Sequence, residues 1–332
     1  MQQKNFNKFE LEITSNCNAQ CPLCARTEMG MPLRGNTEIS LDTIKKIFPN
    51  EDLIKGKEFK LCGVLGDPIV HPQCLEICEW LGNKGGKVIV STNGGYNNAD
   101  WWTELAKIKN LKVDFCVDGF EHTNHIYRVN VNWKTLVRNM TAFTEGKGDA
   151  RWVYIPFAHN EDDYEKAKEL AQQLGMLFIR RTSGRNELNK NKTHKPRKAK
   201  EVKLSGSEKL PHNDLTKLKE LIKEKDVEKV NEVVSTLSCQ HLEEPELFIA
   251  SNSTLWPCCY LFDESLKDYE HVTKTQDKTF NSLDNFTVDE VLQKDLYTSL
   301  KDRWYATHDN HLRRCIKSCG LKGVYKNKRE YA

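Results

Sequence analysis

The chain is 332 residues long, so at about 100–200 residues per domain it holds two domains, or one large domain with an appendage. Hydrophobic residues make up 38% and charged residues 29%, the balance of a rather polar globular chain. Lys and Arg number 50 against 47 Asp and Glu, and this net charge of +3 argues against a dedicated nucleic-acid or membrane-surface protein.

No apolar run approaches the roughly 20 residues that a membrane span requires. The first residues, MQQKNFNKFELEIT, lack the apolar centre of a secretion signal, so a cytoplasmic location is expected.

Through residue 180, short apolar and β-branched runs alternate with stretches of helical period. The runs predict strands at Phe9–Ile13, Phe59–Val64, Lys87–Ser91, Lys112–Val117, Trp152–Phe157 and Met176–Ile179. Between them the spacing predicts helices at Leu41–Phe48, Gln73–Leu81, Asp100–Ile108, Trp133–Thr144 and Asp162–Leu174, with Gly175 as a C-terminal cap. This alternation is the pattern of βα units around a parallel sheet. Six units are too few for a closed eight-stranded barrel but suit an open or partial one, in which loops at the C-terminal strand ends hold the chemistry. Residues 181–236 then read as a basic linker or surface insert followed by a charged amphipathic helix at Leu215–Val234. Residues 237–332 hold five cysteines and short β-like runs at Leu247–Ala250 and Thr254–Trp256.

Twelve cysteines in a chain with no secretion signal point to metal binding or redox chemistry rather than to disulfides. Residues 11–27 read LEITSNCNAQCPLCART, placing Cys17, Cys21 and Cys24 in C-x3-C-x2-C spacing directly after the first predicted strand. A closed iron–sulfur cluster normally takes four cysteines. Here the next is Cys62, so one iron of a 4Fe–4S cube would stay open to another ligand. Zinc is the alternative, although it prefers four protein ligands.

These motifs resemble the radical S-adenosylmethionine (radical SAM) enzymes, which carry this cysteine loop after the first strand of a partial (β/α)6 barrel. LCGVLGDPIVHP, residues 61–72, is similar to the family's GGEP segment, with Leu65 in place of the first glycine and Asp67 in place of the glutamate. VSTNG (90–94) is similar to the end of the third strand, and VDFCVDG (113–119) to the end of the fourth, with Cys116 where Ser is usual. Arg128 in HIYRVN matches an arginine that follows that motif. The resemblance covers about residues 8–180. It implies that Gly66, Asp67, Pro68, Ser91, Thr92, Asn93, Asp118 and Arg128 contact S-adenosylmethionine, and that Cys17, Cys21 and Cys24 hold the cluster. Ser91 or Thr92 could instead cap a turn, Asp118 could be a turn residue, and Arg128 a surface ion-pair partner.

The C-terminal cysteines lie in SCQHLEEPELFIASNSTLWPCCYLF and HLRRCIKSCGLKG. Their spacing resembles the twitch appendage, a shortened SPASM domain that binds an auxiliary 4Fe–4S cluster. Carried over by position, the ligands are Cys239, Cys258, Cys315 and Cys319, with Cys259 competing with Cys258. Zinc remains an alternative there, because four thiolates also suit a closed tetrahedral site. The expected fold is thus a partial (β/α)6 barrel (1–180), a basic linker and helix (181–236) and a small α+β cluster-binding appendage (237–332). Cys74 and Cys78, at i and i+4, read as buried small hydrophobes. Cys62 fits a strand core, and Cys116 is a candidate hydrogen-atom donor.

The resemblance implies reductive cleavage of S-adenosylmethionine at the first cluster to a 5′-deoxyadenosyl radical. That radical abstracts hydrogen from a small-molecule or peptide substrate, in an oxidation or modification. It also implies an electron donor such as flavodoxin or ferredoxin. The alternatives are an epimerase, a carbon–carbon or carbon–sulfur coupling enzyme, or a non-catalytic iron–sulfur or zinc interaction protein on the same scaffold. Only about eight residues precede the first predicted strand, which disfavours a dedicated leader-peptide domain.

Overall fold

The computed structural model describes residues 1–32, 35–181, 193–194, 202–203, 205, 228, 231, 239–304, 312–319 and 330–331. Apart from Glu228 and Asn231, the predicted amphipathic helix at 215–234 lies outside the described residues, as does nearly all of the basic insert.

Six strands alternate with helices, as the sequence pattern requires. They are β1 (Lys8–Leu11), β2 (Glu58–Leu61), β3 (Lys87–Thr92), β4 (Leu111–Cys116), β5 (Asp149–Tyr154) and β6 (Leu177–Arg180). Each pairs in parallel with the next, from β1 to β6. The principal intervening helices are Leu41–Ile47, Cys74–Asn83, Ala99–Ala106, Trp133–Glu145 and Tyr164–Gln173. Three start on side-chain caps: Ser40 Oγ accepts from Thr43 N, Asn98 Oδ1 from Trp101 N, and Asn132 Oδ1 from Thr135 N. Gly175, at φ +69°, ends the last of them, as predicted.

Beyond Thr193–His194 and Val202–Lys203, which pair as a separate two-stranded ribbon, a further strand, Glu246–Ile249, runs parallel to β1 on the side away from β2. Leu255–Trp256 pairs antiparallel with it, and Glu330–Tyr331 pairs antiparallel with β6 at the other edge. The sheet is therefore open, with different strands at its two edges. The C-terminal part of the chain is joined to the barrel by continuous sheet.

The two faces of the sheet differ in chemistry. The helix-covered face buries Phe9, Phe59, Val88, Val90, Val113, Phe115, Trp152 and Phe178. Phe9, Phe48 and Phe59 form one ring cluster there, with centroids 4.9–5.4 Å apart. The pleat sends the alternate residues to the inner face: Glu10, Glu12, Lys60, Cys62, Ser91, Asp114, Cys116 and Arg151. Lys60 on β2 and Arg181 after β6 feel each other's charge. They are four strand spacings apart along the sheet, roughly 19 Å, so the sheet curls around its polar face.

Two predicted strands shift by three residues at an end, and β1 ends at Leu11 rather than Ile13. β5 begins at Asp149 rather than Trp152, because exposed Asp149 and inward-facing Arg151 flank Ala150 and leave no apolar run there to read. It ends at Tyr154, since the next amide, Ile155 N, donates to the Asp118 side chain instead of to the sheet. β2 ends at Leu61, after which the backbone turns into the loop that Glu12 holds. Cys74 and Cys78 are fully buried on one helix face, as expected. Cys62 corrects the sequence reading. It lies in no apolar core, and its thiol donates to Glu10 Oε1 at 2.6 Å on the polar face.

Candidate functional site

Cys17, Cys21 and Cys24 lie in the loop that leaves the C-terminal end of β1 and leads to a short helix, Ala25–Glu28. Their near neighbours explain how the loop is held. Gln20 N donates to Val129 O at 3.0 Å, and Asp67 N donates to Asn16 O at 2.8 Å. Asn18, inside the motif, accepts from Asn93 Nδ2 at 2.9 Å. Leu23 packs with Tyr127 and Phe157, and Cys21 leans on the same group.

Each thiol has its own contact. Cys17 Sγ accepts from Ala19 N at 3.4 Å, Cys24 Sγ donates to Val64 O at 3.8 Å, and Arg128 Nη1 donates to Cys21 Sγ at 3.8 Å. Burial pushes the Cys21 thiol up to about 11 against the pull of Arg128, and burial likewise raises Cys17 well above the ordinary thiol range. Cys17 feels Cys21 and Cys24, and Cys21 feels Cys24, so the three share one electrostatic environment. Among the described residues, no three Cys, His, Asp or Glu side chains close on a single metal ion.

Around this loop stand the other residues singled out from the sequence. Gly66 is required by close approach: a Cβ there would lie 1.7 Å from Thr14 O. Asp67 is buried, and its carboxylate is saturated. Oδ1 accepts from Ile69 N, and Oδ2 accepts from Asn93 N at 2.8 Å and Asn93 Nδ2 at 2.6 Å. Asp67 thus ties the loop after β2 to the end of β3, with Pro68 buried at the start of a 3-10 turn. Thr92 is buried, and its hydroxyl accepts from Gly94 N at 3.0 Å, the turn-capping alternative. Ser91 Oγ and Cys116 Sγ lie 3.5 Å apart on the polar face. Asp118 is fully buried. Its Oδ2 accepts from Arg128 Nε at 2.7 Å and its Oδ1 from Ile155 N at 2.8 Å. Arg128 is therefore an interior ion-pair partner aimed at Cys21, not a surface one.

Three further groups escaped sequence reasoning. Buried Glu12 accepts from Leu65 N at 2.6 Å, Gly66 N at 3.3 Å and Ser251 Oγ at 3.2 Å, so one carboxylate fixes the loop after β2 and reaches the C-terminal part. Glu10 binds Lys60 Nζ at 3.0 Å as well as Cys62. Burial alone would raise the Glu10 carboxyl, but Lys60 and hydrogen bonds from Cys62, Lys60 and Cys259 outweigh it and hold it at about 2. Asp114 pairs with Arg151 and Arg181. The available signal was the strict alternation in KFELEIT, which sets Glu10, Glu12 and Thr14 opposite Phe9, Leu11 and Ile13. A parallel strand covered on both faces by apolar packing reads as a continuous hydrophobic run instead.

The C-terminal cysteines separate into two sets. Burial raises Cys258, and Cys239 and Cys319 raise it further; Cys315 in turn feels Cys258, Cys319 and Cys239. Cys319 is pushed up to about 12 by burial and by Cys239. Cys239, Cys258 and Cys315 stand in the wall of one hollow, partly open to solvent, with His241 and Tyr297. Cys259, the next residue, lies instead near Glu10, Lys60 and Cys62.

No family model matches the chain. It is 23% identical over 176 residues to a tungsten-containing aldehyde ferredoxin oxidoreductase cofactor-modifying protein of Pyrococcus furiosus. That match takes in 51% of this chain and 48% of the relative, so the chain spans about half the relative's length. Among solved structures it is similar to Streptococcus suis SuiB bound to S-adenosylmethionine. There the TM-score is 0.57 at 12% identity, over 89% of this chain and 68% of that one. It is also similar to anSMEcpe with bound AdoMet and Cp18Cys peptide, with a TM-score of 0.56 at 14% identity over 94% and 88% of the two chains. At such identities it is the architecture that is shared: the open, mostly parallel α/β sheet of this chain is similar in fold to these S-adenosylmethionine-bound proteins.

Proposed function

We propose that the protein is a radical SAM enzyme, with a 4Fe–4S cluster held by Cys17, Cys21 and Cys24 and S-adenosylmethionine at the open iron. The observation that carries this reading is the conjunction at the strand ends. Three thiols on one loop share an electrostatic environment, and the Arg128 guanidinium faces one of them. The donor set fits the group. It offers three soft ligands from one loop, a buried cation beside the anionic thiolates, and no fourth cysteine in the loop. When bound, the cluster and S-adenosylmethionine supply an electron and a 5′-deoxyadenosyl radical able to take hydrogen from an unactivated C–H bond.

The chain's own residues orient and enclose. Asn93 binds both Asn18 in the cysteine loop and Asp67 after β2, so three strand ends keep one spacing. Glu12 holds the amides of Leu65 and Gly66, which fixes the backbone where the resemblance expects the methionine moiety. Asp118 holds Arg128 in place beside Cys21. Ser91 and Cys116 line the inner face below.

The second centre is proposed as an auxiliary iron–sulfur site on Cys239, Cys258, Cys315 and Cys319, with zinc as the other occupant of four such thiols. The substrate is proposed as a peptide or small molecule; two of the similar solved structures hold peptides, SuiA on SuiB and Cp18Cys peptide on anSMEcpe. A small redox protein such as flavodoxin or ferredoxin would supply electrons. Among the described residues, no helix is long and apolar enough to cross a membrane.

Low-temperature EPR of the anaerobically reconstituted, reduced protein tests the reading. Addition of S-adenosylmethionine should change the g-values of one cluster, and that cluster should be missing from Cys17→Ala. A spectrum indifferent to S-adenosylmethionine would argue for a non-catalytic iron–sulfur protein.

A further inference from the structure

Asp114 on β4 stands in direct register with Arg151 on β5, and Arg181 follows β6 on the same inner face. Asp114 is 1% exposed, and both guanidiniums close on its carboxylate: Arg151 Nε bonds Oδ1, and Arg181 Nη2 lies 3.5 Å from Oδ2. Two cations on one carboxylate leave one positive charge over. Arg181 Nε is buried and has no hydrogen-bond partner among the described residues. A buried donor left without a partner is destabilising, so the arrangement is unfavourable unless something fills it.

Among the described residues, the carboxylates of the inner face nearest to it do not. Glu10 is committed to Lys60 and Cys62, Asp118 to Arg128 and Ile155 N, and Glu12 to Leu65 N, Gly66 N and Ser251. The surplus charge is also largely withdrawn from bulk solvent. The Arg151 and Arg181 side chains are only 14% and 21% exposed, and Arg181 is felt by Lys60 across the sheet and by Cys116 beside it.

We propose that Arg151 and Arg181, braced by Asp114, form the anchoring site for a carboxylate group of the substrate inside the curled sheet. A single surplus charge matches a monoanion. A planar guanidinium with its Nε–H unpaired presents a directional donor suited to a carboxylate oxygen. Asp114 precedes Cys116 by two residues, about 7 Å along the strand. A ligand anchored there extends past Ser91 and Cys116 toward the Cys17–Cys24 loop. This assignment rests on the reading of the inner face as the substrate chamber, and it narrows the substrate to a carboxylate-bearing peptide or small molecule.

The test is calorimetric titration of the reconstituted protein, saturated with S-adenosylmethionine, with glutarate, its neutral diamide glutaramide, and inorganic phosphate. Glutarate should bind, and glutaramide should not. Arg181→Gln keeps the Arg151–Asp114 pair and hence the fold, as circular dichroism would verify. It should weaken glutarate about tenfold or more, with partial recovery in Arg181→Lys. Absence of glutarate binding to the wild type, equal affinity for Arg181→Gln, or equal binding of glutaramide would overturn the site. Tighter binding of phosphate than of glutarate would overturn its assignment to carboxylate. The titration needs neither reduction nor cleavage of S-adenosylmethionine. Glutarate binding by a protein that releases no nucleoside would therefore support the site while removing the proposed chemistry, and nucleoside release without glutarate binding would do the reverse.

Discussion

Arg128 Nη1 lies 3.8 Å from the sulfur of Cys21. The same guanidinium, through Nε, neutralises the fully buried Asp118. One side chain thus links the loop after β4 to the cysteine loop. Breaking a buried pair by removing one partner strands the other charge, at about 3–5 kcal/mol. Arg128→Gln should lose about that much stability in chemical unfolding, and the double variant Arg128→Gln/Asp118→Asn should recover part of it. If Arg128→Gln is as stable as the wild type, the pair does not hold this end of the site.

Gly66 has no room for a side chain, because a Cβ would meet Thr14 O at 1.7 Å. Gly66→Ala must displace backbone at the end of β1, and overpacking of this kind costs about 1–3 kcal/mol or more. Urea unfolding of the apoprotein should show a loss in that range, whereas Gly30→Ala, with open space around it, should cost less and act only through its positive φ.

Glu10 supplies a pH dependence whose sign is fixed. Its folded value of about 2 lies below the ordinary 4.5, so its stabilisation is fully present above 4.5 and is lost as pH falls from there toward 2. The shift corresponds to something on the order of 3 kcal/mol. The unfolding midpoint of the apoprotein should drop over that window, and Glu10→Gln should flatten the drop. An unchanged slope in Glu10→Gln would remove the Glu10–Lys60–Cys62 network from the account.

Neighbouring cysteines should behave differently. Cys258 shares its surroundings with Cys239, Cys315 and Cys319, while Cys259 lies by Glu10 and Cys62. Iron analysis of reconstituted Cys258→Ala should show loss of one cluster's worth of metal, and Cys259→Ala should retain it. The reverse result would exchange the two assignments, and zinc recovered with the purified wild type in place of the lost iron would favour the tetrahedral reading.

What the sequence made legible was whatever repeats along the chain. The βα alternation located every barrel strand, because the helix-facing residues Phe59, Val88, Val90 and Phe115 form runs that local pattern can detect. It missed the start of β5, where Asp149 and Arg151 interrupt the apolar run for reasons that lie on β4. It placed Cys62 in a core because the neighbours Phe59 and Leu61 are buried, although the pleat turns Cys62 to Glu10. Glu12 was invisible for the same reason: its partners, Leu65, Gly66 and Ser251, come together only when the sheet is assembled. The Cys258–Cys259 ambiguity needed the two side chains' opposite surroundings, which adjacent positions cannot announce.

The most direct measurement is 5′-deoxyadenosine release. The protein would be reconstituted with iron and sulfide without oxygen, reduced, and given S-adenosylmethionine, beside the triple variant Cys17→Ala/Cys21→Ala/Cys24→Ala. The account predicts release by the wild type and none by the variant. A wild type that holds iron at the first site and binds S-adenosylmethionine, yet releases no nucleoside with or without carboxylate-bearing peptides and small molecules, would contradict it.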